Sequence, residues 1–239
     1  MAQDSHSFHA TWLLLRFRHY LKVSVLCFIG LSFYFTICFS FIHPQRTPLM
    51  VKRYVEYKKE KREVPFRHQW VPIEEISPHL IRAVVAAEDN RFTKHYGIDF
   101  GAIRKARDYN KRSTHRKRGA STISQQTAKN IFLWPARTYI RKGFEVYFTL
   151  LIETFWSKRR IMEVYLNMIE MGAGIYGAEA ASQYYFHKPA SRLTGEEAAL
   201  IAISLPNPQK RNPAKPTSYM LWRQKNILSL MRKIGEIDL

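Results

Sequence analysis

Cysteine is almost missing from this chain. Only Cys27 and Cys38 occur in 239 residues, and both fall inside one uncharged apolar run. On a helix they would lie about 16 Å apart along the axis, too far to bridge. The remainder of the chain therefore has no disulfide framework, no thiol nucleophile and no zinc-thiolate site. Acidic residues are also scarce: 19 Asp+Glu face 38 Lys+Arg, giving a formal net charge of +19. That balance calls for a negatively charged partner, and nucleic acid, an anionic membrane surface and a phosphorylated substrate satisfy it equally. A Gly-x-Gly-x-x-Gly loop is missing, so no dinucleotide fingerprint is present. No stretch alternates with period two for long enough to demand a sheet, which makes the class mainly α.

Residues 23–42 carry no charge and, as a helix, would span about 30 Å, the hydrocarbon thickness of a bilayer. This predicts a retained transmembrane helix; the run exceeds a signal-peptide h-region, and no small-x-small cleavage site follows it. Basic residues flank it on both sides (Arg16, Arg18 and Lys22 before; Arg46, Lys52, Arg53, Lys58, Lys59, Lys61 and Arg62 after), so charge leaves the topology open. The expected organisation is an N-terminal tail (1–22), a transmembrane helix (23–42), a proline-punctuated basic juxtamembrane linker (43–71) and one domain (72–239). About 195 residues beyond the membrane helix suit a single domain with its own core.

Ser77 followed by Pro78 reads as a helix start, and it sets a register in which Leu80, Val84 and Glu88 share one face. A carboxylate in line with an apolar stripe is partly desolvated, which raises its pKa toward that of a useful general base. The alternative is that Glu88 ends the helix and points to water. After it, 104–118 holds eight Lys/Arg against Asp108 without a hydrophobic period, and reads as a mobile basic loop. Thr122 with Gln125 fits a capping box opening a helix whose first N–H groups face an anion or simply solvent. The apolar cluster 131–134 precedes Pro135 and suits either core or membrane contact.

Periodicity is clearest over 139–156, where Ile140, Phe144, Tyr147, Phe148, Leu151 and Phe155 build one stripe. Glu145 borders it, one turn from Arg141 and Lys142. This is either an ordinary surface ion pair or a phosphate site with a carboxylate beside it. Further helices are expected over 158–171, 177–186, 198–205 (opened by a Thr194/Glu197 capping box) and 218–234.

Four stretches then carry a resemblance. Glu88-Asp-Asn-Arg-Phe-Thr-Lys-His-Tyr-Gly-Ile-Asp99, Gly119-Ala-Ser-Thr-Ile-Ser-Gln-Gln-Thr-Ala-Lys-Asn130, Arg141-Lys-Gly-Phe-Glu145 and Arg160-Ile-Met-Glu-Val-Tyr-Leu-Asn167 resemble, in order, the motifs of the peptidoglycan glycosyltransferase family, with 198–208 similar to its last motif. The resemblance implies a lysozyme-like α-helical domain that polymerises glycan from lipid II, with undecaprenyl pyrophosphate as leaving group. It implies Glu88 as the base acting on the acceptor 4-hydroxyl, Asp89 orienting it, and Glu145 as a second essential carboxylate holding cations or a divalent metal (Mg2+ or Mn2+). Phe92, His95, Gly119, Ser121, Thr122, Gln125, Gln126, Lys129, Asn130, Arg141 and Lys142 match substrate-binding positions. Phe144 departs from relatives that carry Lys before the second Glu, which shifts leaving-group charge onto Arg141 and Lys142. The transpeptidase motifs Ser-x-x-Lys and Lys-Thr-Gly are missing. Implied partners are lipid II, lipid-linked glycan, membrane lipids and other cell-wall synthases, with no nucleic acid and no organic cofactor. The implied location is the bacterial inner membrane with the domain outside the cytoplasm.

Two rivals belong to other classes. A lytic glycosidase would use Glu88 as a protonated acid, but polymeric glycan has no pyrophosphate to match the cations near Glu145. A basic membrane-anchored binding protein would need no Glu88 at all.

Overall fold

Hydroxyl side chains start most of the helices. In a computed structural model that describes residues 2–113, 117–136 and 138–239, a serine or threonine oxygen accepts a backbone N–H at the start of seven helices. Each cap satisfies one of the N–H groups that a first turn leaves free. The chain divides into two compact units, 1–42 and 43–239.

The first unit is one helix, α1 (Ala2–Phe41). Its stretch Trp12–Phe41 is long and apolar enough to cross a membrane. Arg16, Arg18 and Lys22 ride on the same helix, so the uncharged run is the end of a longer element and not a segment of its own.

The second unit begins earlier than the expected domain. Residues 43–71 are not an extended linker: they contain α2 (Pro48–Lys59), capped by Thr47, with Pro48 in the first turn and Lys58 and Lys59 in the last. The prolines suggested a break, yet proline at the first helical position costs no hydrogen bond. Strand β1 (Arg67–His68) then follows.

Next come α3 (Pro78–Glu88), α4 (Phe100–Arg112), α5 (Ile123–Phe132), α6 (Tyr139–Phe155) and α7 (Lys158–Met168). Here α4 corrects the expected basic loop over 104–118, of which residues 114–116 lie outside the described residues. Ala106 is the one buried residue of α4, so no core-facing stripe announced it; the Asp99 cap and the basic last turn, Lys111 and Arg112, support it instead. Helix α7 ends at Met168, three residues short of expectation, because Glu170–Gly172 forms β2.

β2 pairs antiparallel with β3 (Ile175–Tyr176), which pairs parallel with β1. This small sheet was not expected, since two- and three-residue strands cannot show a period. Helices α8 (Ala178–Phe186), α9 (Gly195–Ser204) and α10 (Ser218–Ile234) complete the chain, the last ending at Gly235 as expected.

Two helical groups meet in this unit. Helix α3 packs on α9 and α10, and α5 packs on α6 and α7. Ala83, Ala198 and Ala199 are fully buried, and small side chains let the first group approach closely. The expected stripe of α6 is only half inside: Phe148 and Leu151 are buried, whereas Ile140 is 72% exposed. Its inner face is half polar, with Glu145, Thr149 and Glu153 buried beside Phe148, Leu151 and Ile152.

Candidate active site

The join between the two helical groups is where the site forms. Glu88 is the last residue of α3, and the Gln126 side-chain amide of α5 donates to its Oε2 at 2.8 Å. Burial pushes the Glu88 carboxyl above its ordinary value of 4.5, and the neighbouring Asp89 charge adds to the rise. The Gln126 hydrogen bond and the charges of Lys129 and Arg211 oppose it. The result is a carboxylate poised as a proton acceptor.

Asp89 is differently employed. Its Oδ2 accepts the Ile123 backbone N–H at 3.1 Å, at the first turn of α5, and both its oxygens lie about 3 Å from His95 Nε2. It therefore clamps the turn after Glu88 onto α5, where a negative charge also suits the helix dipole. Asp89 was expected to orient the base; among the described residues its side chain bonds Ile123 and His95 and makes no hydrogen bond to Glu88.

Behind the clamp runs a continuous polar layer. Lys158 donates to the His95 carbonyl at 2.8 Å and to Glu153 at 2.7 Å, and it lies 4.6 Å above the Phe92 ring. Ser124 also donates to Glu153. Phe92, expected to meet substrate, is fully buried here, and His95, expected likewise, pairs with Asp89.

Thr122 and Gln125 are likewise structural. They form the expected capping box, and the Thr122 hydroxyl donates to the Gly97 carbonyl at 2.6 Å. Gly97 has φ +78°, and a Cβ there would lie 2.7 Å from Thr149 Cγ2, so only glycine permits this contact. Both side chains are buried, and the Gln125 amide oxygen accepts the Thr122 N–H. Ser121 and Gly119 are exposed at the approach to α5, where a substrate could reach them. Gln126 acts on Glu88.

The cationic half lies on α5 and α6. Glu145 is 3% exposed, with Arg141 Nη1 at 2.6 Å from one oxygen and the Lys142 ammonium paired to the other. Lys129 feels both halves: burial holds its ammonium below the ordinary 10.5, the Arg141 and Lys142 charges lower it further, and Glu145 and Glu88 oppose them. Lys129, Asn130 and Arg141 line a cavity of about 410 Å³. Because cations already engage both Glu145 oxygens, the residues do not suit a metal held by Glu145. Among the described residues, no group of three His, Cys, Asp or Glu could hold an ion.

Two neighbours escaped the sequence reading. Tyr165 of α7 is 1% exposed, and its hydroxyl has no hydrogen-bond partner. Burial and the charges of Glu88 and Asp89 push that hydroxyl well above its ordinary value. Arg211 follows α9, bonds the Ile203 carbonyl, and adds positive potential at Glu88. Tyr165 stood inside a recognised motif but on an apolar stripe, which gave it no polar signature.

A desolvated carboxylate base beside a carboxylate-held cluster of cations is the arrangement of an enzyme that transfers a group away from an anionic leaving group. Comparison with known proteins is specific. The model of the family described as Transglycosylase matches residues 56–232. A biosynthetic peptidoglycan transglycosylase of Bacteroides thetaiotaomicron is 53% identical over 215 residues, covering 90% of this chain and 86% of that protein. Proteins of the same description from Bdellovibrio bacteriovorus (51% over 213 residues; 89% and 84%) and Caulobacter vibrioides (53% over 191 residues; 80% of each) are also similar. The chain belongs to the transglycosylase family, and its second unit is the lysozyme-like, mainly α domain of that family.

Proposed function

We propose that this protein is a peptidoglycan glycosyltransferase that polymerises glycan strands from lipid II in bacterial cell-wall synthesis. The observation that carries the proposal is that α5 holds Glu88 through Gln126 and, one turn on, places Lys129 in the same cavity as the Glu145-held Arg141. In this reading Glu88 takes the proton of the acceptor GlcNAc 4-hydroxyl. The freed oxygen attacks the anomeric carbon of the donor MurNAc from the face opposite the pyrophosphate, and the anomeric carbon inverts. The C–O bond to the leaving group breaks with its electron pair, and Lys129, Arg141 and Lys142 meet the charge that develops there. A Mg2+ or Mn2+ ion would enter with the substrate's pyrophosphate and not on Glu145.

Cross-linking is not part of the proposed activity, because the sequence has neither Ser-x-x-Lys nor Lys-Thr-Gly. Incubation of the detergent-solubilised protein with labelled lipid II tests the reading. Polymeric glycan without cross-links is expected, and unchanged monomer overturns it.

We also place the protein in the inner membrane as a single-pass protein anchored by α1, with 43–239 on the periplasmic side. The length and hydropathy of Trp12–Phe41 support an anchor, and the family resemblance supports the side. A reporter fused after Leu239 should be active only in the periplasm; cytoplasmic activity reverses the topology.

A further inference from the structure

The cavity beside Lys129 has a second wall that belongs to none of the recognised motifs. Leu49, Lys52 and Arg53 of α2 line it opposite Lys129, Asn130 and Arg141, with Leu133, Trp134, Pro135 and Ala136 between them. Among the described residues, four cations and no carboxylate face this space. The balancing carboxylates are not among its lining residues: Glu56 lies 3.4 Å from Lys52 and 3.0 Å from Arg53, Glu170 lies 3.6 Å from Arg53, and Glu145 holds Arg141. The cations are thus held in place while a donor is left over. The Nε–H of Arg53 points to Glu170 at 3.6 Å, and the buried Nε–H of Arg141 has no hydrogen-bond partner among the described residues. Lys52 reaches across to the Pro135 carbonyl at 3.5 Å, which ties α2 to the segment between α5 and α6.

We infer that Lys52 and Arg53 bind the pyrophosphate of a polyprenyl-pyrophosphate donor, closing from α2 the site that Lys129 and Arg141 open from α5 and α6. The inference rests on the function proposed above, and extends its donor site to residues outside the motifs. Cations on both walls of a cavity whose described lining has no carboxylate suit a ligand rich in acceptor oxygens and negative charge. The neighbouring Leu49, Leu133 and Trp134 suit a ligand that continues into hydrocarbon, and Trp134 is 46% exposed. A free phosphate would leave that apolar lining bare. An anionic phospholipid shares the same chemistry, and the test separates the two.

The full-length protein in detergent is titrated with geranylgeranyl pyrophosphate by calorimetry, and its lipid II kinetics are measured in parallel. Lys52→Gln and Arg53→Gln should each weaken binding and raise KM about tenfold, with kcat changed less. Lys52→Arg should restore most of the loss. Lys58→Gln, on the same helix but outside this cavity, should match wild type. Lys52 is 47% exposed, so its variant keeps the inference testable if Arg53→Gln melts early. Unchanged binding by Lys52→Gln overturns the inference, as does an equal loss for Lys58→Gln, or competition by dioleoylphosphatidylglycerol as strong as by the pyrophosphate. A wild type that binds the pyrophosphate but makes no polymer overturns the proposed function and leaves the pocket assignment standing.

Discussion

The Gln126 amide donates to Glu88 Oε2 at 2.8 Å, from the same helix that carries Lys129 one turn later. In the proposed reaction, one helix therefore holds the base and presents the first cation to the leaving group. A shift of α5 would disturb both, which explains why Asp89 clamps its first turn.

Glu88→Gln is expected to lower turnover at least about a hundredfold while keeping the fold. It should also raise the melting temperature at neutral pH. The folded-state pKa of Glu88 is raised, so the wild type loses stability as pH climbs through that pKa, and a neutral amide avoids the loss. The gap should close below the ordinary value of 4.5. Polymerisation near wild-type rates removes Glu88 from the mechanism, and a lower melting temperature contradicts its desolvation.

Asp89→Ala removes an acceptor from the α5 N-terminus and from His95 together. Leaving a buried N–H unsatisfied costs about 1–3 kcal/mol. Activity should fall with stability, and Asp89→Asn, which can still accept from Ile123, should recover much of the stability. Calorimetric melting of both variants checks this. Equal destabilisation by both would mean that the negative charge matters more than the clamp.

Caps and local periods made much of the fold legible in advance. Ser77, Thr122 and Thr194 marked helix starts, and 218–234 was read to the residue. What stayed hidden depends on distant partners. Arg67 pairs with Ile175, a contact no local pattern encodes. Helix α4 buries only Ala106, so it lacks the stripe on which such readings depend. At the site, motif order pointed to the desolvated Glu88 and the buried Glu145, but it could not separate exposed side chains from buried ones. Phe92, Thr122 and Gln125 are buried and His95 is paired with Asp89, and burial is a property of the packed chain that no local pattern shows. Lys52 and Arg53 lay in a stretch that looked like a linker.

Glu145→Gln should split from Glu88→Gln in ligand binding. The Glu145 carboxylate holds Arg141 and Lys142 from a buried position, so an amide releases both and leaves two cations uncompensated. Loss of turnover together with weaker binding of a donor-site phosphoglycolipid inhibitor is expected, by about tenfold or more. Glu88→Gln should leave that affinity within about twofold, because an amide keeps the shape and can still accept from Gln126. Calorimetry on both variants reads the difference. Equal losses would mean that the two carboxylates serve one subsite.

The last prediction concerns pH. Activity needs Glu88 ionised and Lys129 protonated, and their surroundings move both pKa values inward. Burial raises the Glu88 carboxyl from 4.5 and lowers the Lys129 ammonium from 10.5. The profile of kcat/KM should therefore be bell-shaped, with an acid limb above the ordinary carboxylate value and an alkaline limb below the ordinary lysine value. Two substitutions assign the limbs. Gln126→Leu removes a hydrogen bond that favours the charged carboxylate, so the acid limb should move to higher pH while the alkaline limb stays. Lys129→Arg places at that position a cation that stays protonated throughout. Its alkaline limb should move to higher pH, and its acid limb should stay because the charge facing Glu88 is kept. An alkaline limb unmoved in Lys129→Arg would assign that ionisation to another group, and an acid limb unmoved in Gln126→Leu would separate Glu88 from the rate-determining proton transfer.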